Sequence, residues 1–405
     1  MKGLSDYNGI AEPEDLRLLT RLGERLRGRS FLHVNSTSVG GGVAEILHRL
    51  IALFVDLGVA ARWEVIKGDQ SFFEVTKQIH NGLQGQAVEM SPRMWEIHRE
   101  VNEANAGQMD LDADLVFIHD PQPAHLIGHR RRGVWVWRCH VDVSHPHPPV
   151  WERLAADVGR HAAAIFSGAQ FAQQLAVPQF VVPPSIDPLS EKNRDLTDPE
   201  VQAELEAHQI PRDKPILLQV SRFDRFKDPV GVVQAYRMVK RYYDCRLILA
   251  GGTATDDPEG EGILARVREE AQNDPDIRIL LLPPFSDRLI NALQRAAAVV
   301  LQKSTREGFG LTVAEALWKA KPVVGGAVGG IPSQIHHGVT GFLVHSVEGA
   351  AYRIRQLLHN PALGKKMGEM GREHIRRNFL ITRQAKDYLA LWVALERRNE
   401  RVISI

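Results

Sequence analysis

Apolar residues along this chain come in short, nearly continuous runs separated by polar or helically spaced stretches. RSFLHVN, ARWEVIKG, DLVFIHD, GVWVWRCHVD, AAAIFSG and QFVVPPSI follow one another in the first half. PILLQVSRFD, CRLILAGG, IRILLLP, AVVLQKS, PVVGG and TGFLV follow in the second. Runs that are apolar throughout, rather than alternating, suit strands buried on both faces. Between them apolar positions recur at helical spacing, from Trp151 to His161 in the first half. In the second half they do so over Val230 to Tyr243, Gly262 to Asn273, Asp287 to Ala297 and Leu311 to Ala320. This alternation predicts an α/β fold built on parallel sheets. The rhythm breaks at VVPPSIDPLSEKNRDLTDPE, whose prolines and charges predict the domain linker near residues 183–212. Two doubly wound, Rossmann-like domains facing across a cleft are therefore expected, and such a pair should hinge. The expected division is residues 1–195, residues 196–380, and a C-terminal helix over 381–405 packing back on the N-terminal domain.

A length of 405 residues with 44% hydrophobic content agrees with two cores, since single cores stop growing at about 250–300 residues. Lys+Arg (50) and Asp+Glu (49) leave a formal charge of +1. Nothing electrostatic therefore argues for nucleic acid or an anionic membrane, and a small-molecule partner is expected. The one dense charge cluster, HRRR at 129–132, reads as a solvated loop. Only Cys139 and Cys245 occur, which excludes a disulfide framework and a structural zinc. No apolar leader opens the chain and no stretch nears 18 uninterrupted apolar residues, so a cytoplasmic location is expected.

Chemistry is expected beyond the carboxyl ends of the strands, where loops and helix N-termini converge in doubly wound domains. Gly40, Gly41 and Gly42 lie there, as a tight turn or as a close approach of backbone N–H groups to a ligand. SRFDRFK places Arg222 and Lys227 five positions apart after a strand. They are either two solvated cations or the cradle of a diphosphate. In STREGFGLTVAEALWKA, the amides of Gly310, Leu311 and Thr312 open a helix whose N-terminus attracts anions. Thr312 and Glu315 fit a capping box. Glu307 precedes the turn and should point into the cleft, and carboxylates beside an anion site would accept hydrogen bonds from sugar hydroxyls. In the first half, His119, Asp120, Gln122, Arg138, His140 and Asp142 cluster at strand ends as a candidate binding site. His145 and His147 in HPHPP lie between prolines, which favours a rigid loop over a metal site.

With Arg222-x4-Lys227, Glu307-x7-Glu315 and the glycine-rich first loop together, the chain resembles the retaining glycosyltransferases of family 4, which have the GT-B architecture. HVNSTSVGGGVAEILH, HDPQPA, WRCHVD, PPSIDPLSEKN and REGFGLTVAEALWK are similar to the trehalose glycosyltransferring synthases among them. The resemblance implies transfer of glucose from ADP-, UDP- or GDP-glucose to free glucose, by a soluble enzyme without a tightly bound cofactor or site-bound metal. A divalent cation would stimulate only from outside the site, and a homodimer is compatible with it. It further implies that Arg222 and Lys227 hold the donor diphosphate, helped by amides near Gly310, Leu311 and Thr312. Glu307 would bind donor glucose and Glu315 the ribose. His140 would lie near the anomeric centre, Gly41 and Gly42 would close over the donor, and Asp120 would place the acceptor. Ser221 and Asp228 stand where the family commonly has glycine, which bears on the conformation of the loop they flank. The rival readings are a trehalose phosphorylase using inorganic phosphate and a non-catalytic sugar-binding protein. A dinucleotide-dependent dehydrogenase fits less well, because the GGG cluster lacks the fingerprint spacing.

Overall fold

Among the described residues, the twelve apolar runs form twelve strands in two parallel sheets. The computed structural model describes residues 2–39, 41–252 and 260–400. Its contacts divide the chain into Met1–Ser185 with Leu380–Ile405, and Ile186–Phe379. In the first unit the strands are β1 (Ser30–Asn35), β2 (Ala60–Val65), β3 (Leu115–His119), β4 (Val134–Arg138), β5 (Ala163–Phe166) and β6 (Gln179–Val181), in the order β2-β1-β3-β4-β5-β6. In the second they are β7 (Ile216–Val220), β8 (Arg246–Gly251), β9 (Ile277–Leu281), β10 (Val299–Gln302), β11 (Val323–Gly326) and β12 (Phe342–Val344), in the order β12-β11-β10-β7-β8-β9. Every pairing is parallel, with Phe31 opposite Leu115 in one sheet and Val299 opposite Leu217 in the other. β3, β7 and β8 are buried along their whole length, which is why they read as unbroken apolar runs. The strand order reverses between β1 and β3 and between β7 and β10. Ligands of doubly wound sheets bind beyond the strand ends at such points.

Two cores follow. Trp135, Trp137, Trp151 and Phe166 pack together in the first unit, and Tyr236, Leu217, Leu249 and Val324 in the second. The helix Ile381–Glu396 groups with the first unit, where its Trp392 and Tyr388 rings lie 5.4 Å from Phe31 and 4.8 Å from Phe117. No helix among the described residues is long and apolar enough to cross a membrane.

Two local expectations are corrected. Residues 183–212 are not all linker, because Asp198–Ala207 is a helix. Thr197 Oγ1 accepts the Glu200 N–H and the Glu200 carboxylate accepts the Thr197 N–H at 2.8 Å, a capping box in which Pro199 fits the first turn. The helix expected to run to Asn273 stops at Ala271, because Gln272 and Asn273 take φ values of 49° and 57°.

Candidate functional site

In the second unit the functional side chains gather where β7 and β10 end. β7 delivers Arg222, whose guanidinium is nearly half exposed and lies 3.7 Å from Asp224. A short turn follows and presents Lys227. Lys227 Nζ donates to Glu307 Oε2 at 2.6 Å, and the same oxygen accepts from Ser304 Oγ at 3.1 Å and Gln302 Nε2 at 3.3 Å. Three donors on one nearly buried carboxylate fix its position. The two loops are also joined through backbone, the Thr305 N–H donating to the Phe226 carbonyl at 2.8 Å. Gly310, at φ 85°, is the N-cap of the helix Leu311–Trp318, whose first-turn N–H groups have no acceptor within the helix. Cations, a fixed carboxylate and a helix N-terminus thus share one strand edge.

Asp228 shows how this loop manages without glycine. It takes φ 49°, its carboxylate accepts the Gly231 N–H at 3.1 Å at the start of the next helix, and it pairs with Lys303. Asp228→Gly should lose the cap and the ion pair but relieve the left-handed strain, whereas Asp228→Ala loses both and keeps the strain. The alanine variant should therefore be the less stable of the two by about 1 kcal/mol in thermal unfolding. Equal melting temperatures would contradict this account of the turn.

The capping box read from Thr312 and Glu315 is not formed. Gly310 occupies the N-cap with no side-chain bond, and Thr312, two residues inside, donates its hydroxyl to the Val220 carbonyl at 3.0 Å. Glu315 is buried. It accepts from Gln294 Nε2 at 3.1 Å, and Lys192 Nζ stands 3.7 Å away. Lys192 and Gln294 are new members of this site.

In the first unit, His119, Asp120, Arg138 and His140 come together at the ends of β3 and β4. Asp120 takes φ 64°, and its Oδ1 accepts the His140 N–H at 2.7 Å. Burial pushes its carboxyl up to about 7, against the His140 N–H and the Arg138 charge. Arg138 is fully buried. Its Nη2 donates to Ser167 Oγ at 3.4 Å, while Nε and Nη1 have no partner among the described residues. His119 Nδ1 lies 3.0 Å from His140 Nε2, and His33, inside β1, extends the contact with Nδ1 2.9 Å from His119 Nε2. Asp142 accepts from Ser144 in its own loop, and the Gln122 carbonyl accepts from Asn102. His145 lies against the Ser144 hydroxyl and His147 precedes a helix. Among the described residues no three His, Cys, Asp or Glu side chains are grouped to hold a metal. Gly41, at φ 78°, is the N-cap of the helix that Gly42 opens, and a Cβ on Gly41 would meet nothing within 4 Å. Gly40 lies outside the described residues.

The buried histidines make the fold acid-sensitive. Burial lowers His33 to about 3 and His161 to about 4, and holds His119 and His140 well below the usual value. Their unfolded value is 6.5, so below that pH the unfolded chain binds more protons than the folded one. Stability fully present above pH 6.5 is then lost as pH falls toward about 3. Asp120 acts in the opposite sense, its raised folded value removing stability as pH rises from 3.8 to about 7. Four imidazoles outweigh one carboxyl. The urea midpoint should therefore be lower at about pH 4.5 than at about pH 7, and a midpoint that rises on acidification would contradict this balance.

Comparison with known proteins gives two family matches. Residues 33–173 match the trehalose synthase N-terminal domain, and residues 200–374 match glycosyl transferases group 1. A trehalose synthase of Pyrococcus horikoshii is 45% identical over 393 residues, 95% of each chain. A trehalose phosphorylase of Pleurotus pulmonarius is 29% identical, covering 92% of this chain and 58% of its own length. Among solved structures, the sucrose-phosphate synthase of Thermosynechococcus elongatus superposes with a TM-score of 0.72 at 18% identity, covering 91% of this chain and 100% of that one, which bears on the fold alone.

Proposed function

Because this chain belongs to the trehalose synthase family and is a glycosyltransferase of GT-B architecture, we propose that it moves glucose reversibly from a nucleoside-diphosphate-glucose to free glucose, forming α,α-trehalose. The observation that carries this reading is the Lys227–Glu307 contact of 2.6 Å beside the helix N-terminus at Gly310. The arrangement joins a cation for a diphosphate to a fixed acceptor for sugar hydroxyls.

In this reading Arg222 and Lys227 take the diphosphate with the amides of Leu311 and Thr312, and Glu307 takes hydroxyls of the glucosyl unit. Glu315, with Lys192 beside it, takes the ribose. As the bond from C1 to the diphosphate oxygen breaks, the acceptor hydroxyl adds to C1 on the same face and passes its proton to the departing diphosphate. The configuration at C1 is retained. The cations and helix N-terminus stabilise the charge that develops on the leaving group, and positioning supplies much of the rest. Asp120 serves the acceptor, and His140 lies against the donor sugar near the anomeric centre.

Free glucose as acceptor is supported by the burial of Arg138, which leaves that guanidinium enclosed rather than open to a sugar phosphate. Release of nucleoside diphosphate from ADP-, UDP- and GDP-glucose should thus be faster with glucose than with glucose 6-phosphate. The reverse order would overturn the choice of acceptor. A phosphorylase is the second reading, because the same cations would hold inorganic phosphate, and the Pleurotus similarity supports it at lower identity.

A further inference from the structure

His33, His119 and His140 form a continuous imidazole chain inside the first unit. The rings stack with centroids 5.2 Å apart for His33 and His119 and 5.3 Å for His119 and His140. The nitrogens meet at 2.9 Å and 3.0 Å. Each contact holds one proton, and neutral His119 carries only one N–H, so the two bonds must point the same way. Burial lowers all three rings, with the Arg138 charge adding to it at His119 and His140, so the chain is neutral at physiological pH.

Two arrangements satisfy both contacts. In one, His33 Nδ1–H donates to His119, whose Nδ1–H donates to His140 Nε2, and His33 Nε2 is a bare nitrogen. In the other every proton is reversed and His33 carries an Nε2–H. His33 is fully buried and its Nε2 has no partner among the described residues. The Phe54 and Phe117 rings stack near-parallel to it, with centroids 6.1 Å and 5.1 Å away. An orphaned buried N–H is the rarer and costlier defect, so the first arrangement prevails.

We infer that His33 and His119 are positioning residues that fix the tautomer of His140, filling its Nε2 and leaving Nδ1–H as the group offered to a sugar. His140 is then a hydrogen-bond donor to a substrate oxygen and has no free lone pair with which to act as a general base. The tautomer stands on the geometry alone, while its use on a sugar rests on the glycosyl-transfer reading above.

Nitrogen-15 spectra of imidazole-labelled full-length protein, without substrate, test the first part. His140 should show a protonated Nδ1 and a bare Nε2. His119→Phe should release it toward the Nε2–H form. His119→Asn, whose amide can still donate to His140, should keep the original form and most of the turnover, while His119→Phe should lower kcat about tenfold with donor KM little changed. A bare His140 Nδ1 in the unsubstituted protein, or a His140 tautomer untouched by His119→Phe, would overturn the inference. Protonated Nδ1 in a protein that transfers no glucose would instead remove the glycosyl-transfer reading and leave the tautomer standing.

Discussion

Lys227→Met should lower kcat by about a hundredfold or more and raise donor KM. The Lys227 ammonium would serve two partners at once: in the proposed reading it is the cation offered to the leaving diphosphate, and it holds Glu307 at 2.6 Å. Removing one preorganised donor from a developing anion costs about 10²–10³ in turnover. It also leaves a nearly buried carboxylate with only the neutral Ser304 and Gln302 as donors. Glu307→Gln keeps the shape and removes the charge, so it should lower kcat more than it weakens donor binding. Because the two side chains act as a unit, the double variant should fall well short of the product of the single effects. Steady-state kinetics on the three variants decide it. A Lys227→Met enzyme within threefold of the parent would show that this pair is not the reacting centre.

Gly329→Ala should be among the most damaging small substitutions in the second unit. A Cβ there would sit 1.6 Å from the Glu307 carbonyl oxygen, at φ 54°. The strand edge holding Glu307 is thus packed against the backbone after β11, and the Gly330 N–H donates to that same carbonyl at 3.2 Å. Relief requires moving the loop that carries the Glu307 carboxylate. Overpacking of this kind, added to the left-handed strain, is expected to cost about 3 kcal/mol or more and to abolish most activity. Gly338→Ala is the control, since its φ is 79° but a Cβ there meets nothing within 4 Å. It should lose only the conformational part, about 1–2 kcal/mol. Denaturant unfolding should rank them in that order, and comparable losses would contradict the close-approach argument.

The strands were legible because parallel sheets covered on both faces leave unbroken apolar runs, as in ILLQV of β7 and LVFIH of β3. Helix ends were less so. Nothing in the side chains of Gln272 and Asn273 announces a positive φ, and the prolines and charges around Thr197 hid a helix that they in fact begin. Arg222, Lys227 and Glu307 could be found because their spacing reflects two loops at one strand edge. The residues that hold them could not. Gln302 and Ser304 look like ordinary polar ends of a strand, and Gly329 matters only through a carbonyl 22 positions earlier in the chain. His33 looked like one polar residue in an apolar strand, and only the register of β1 beside β3, pairing His33 with Phe117, carries its ring to His119. The capping box failed for a local reason: Gly310, with its left-handed φ, took the cap position first.

The central claim concerns what is transferred and to what. Incubating the protein with a nucleoside-diphosphate-glucose and carbon-13-labelled glucose, and following products by NMR beside a nucleoside diphosphate assay, tests it directly. The expected result is α,α-trehalose carrying label in one ring only, formed in equal amount with nucleoside diphosphate. No release from any of the three nucleotide donors, with trehalose instead cleaved by inorganic phosphate to glucose and glucose 1-phosphate, would contradict it.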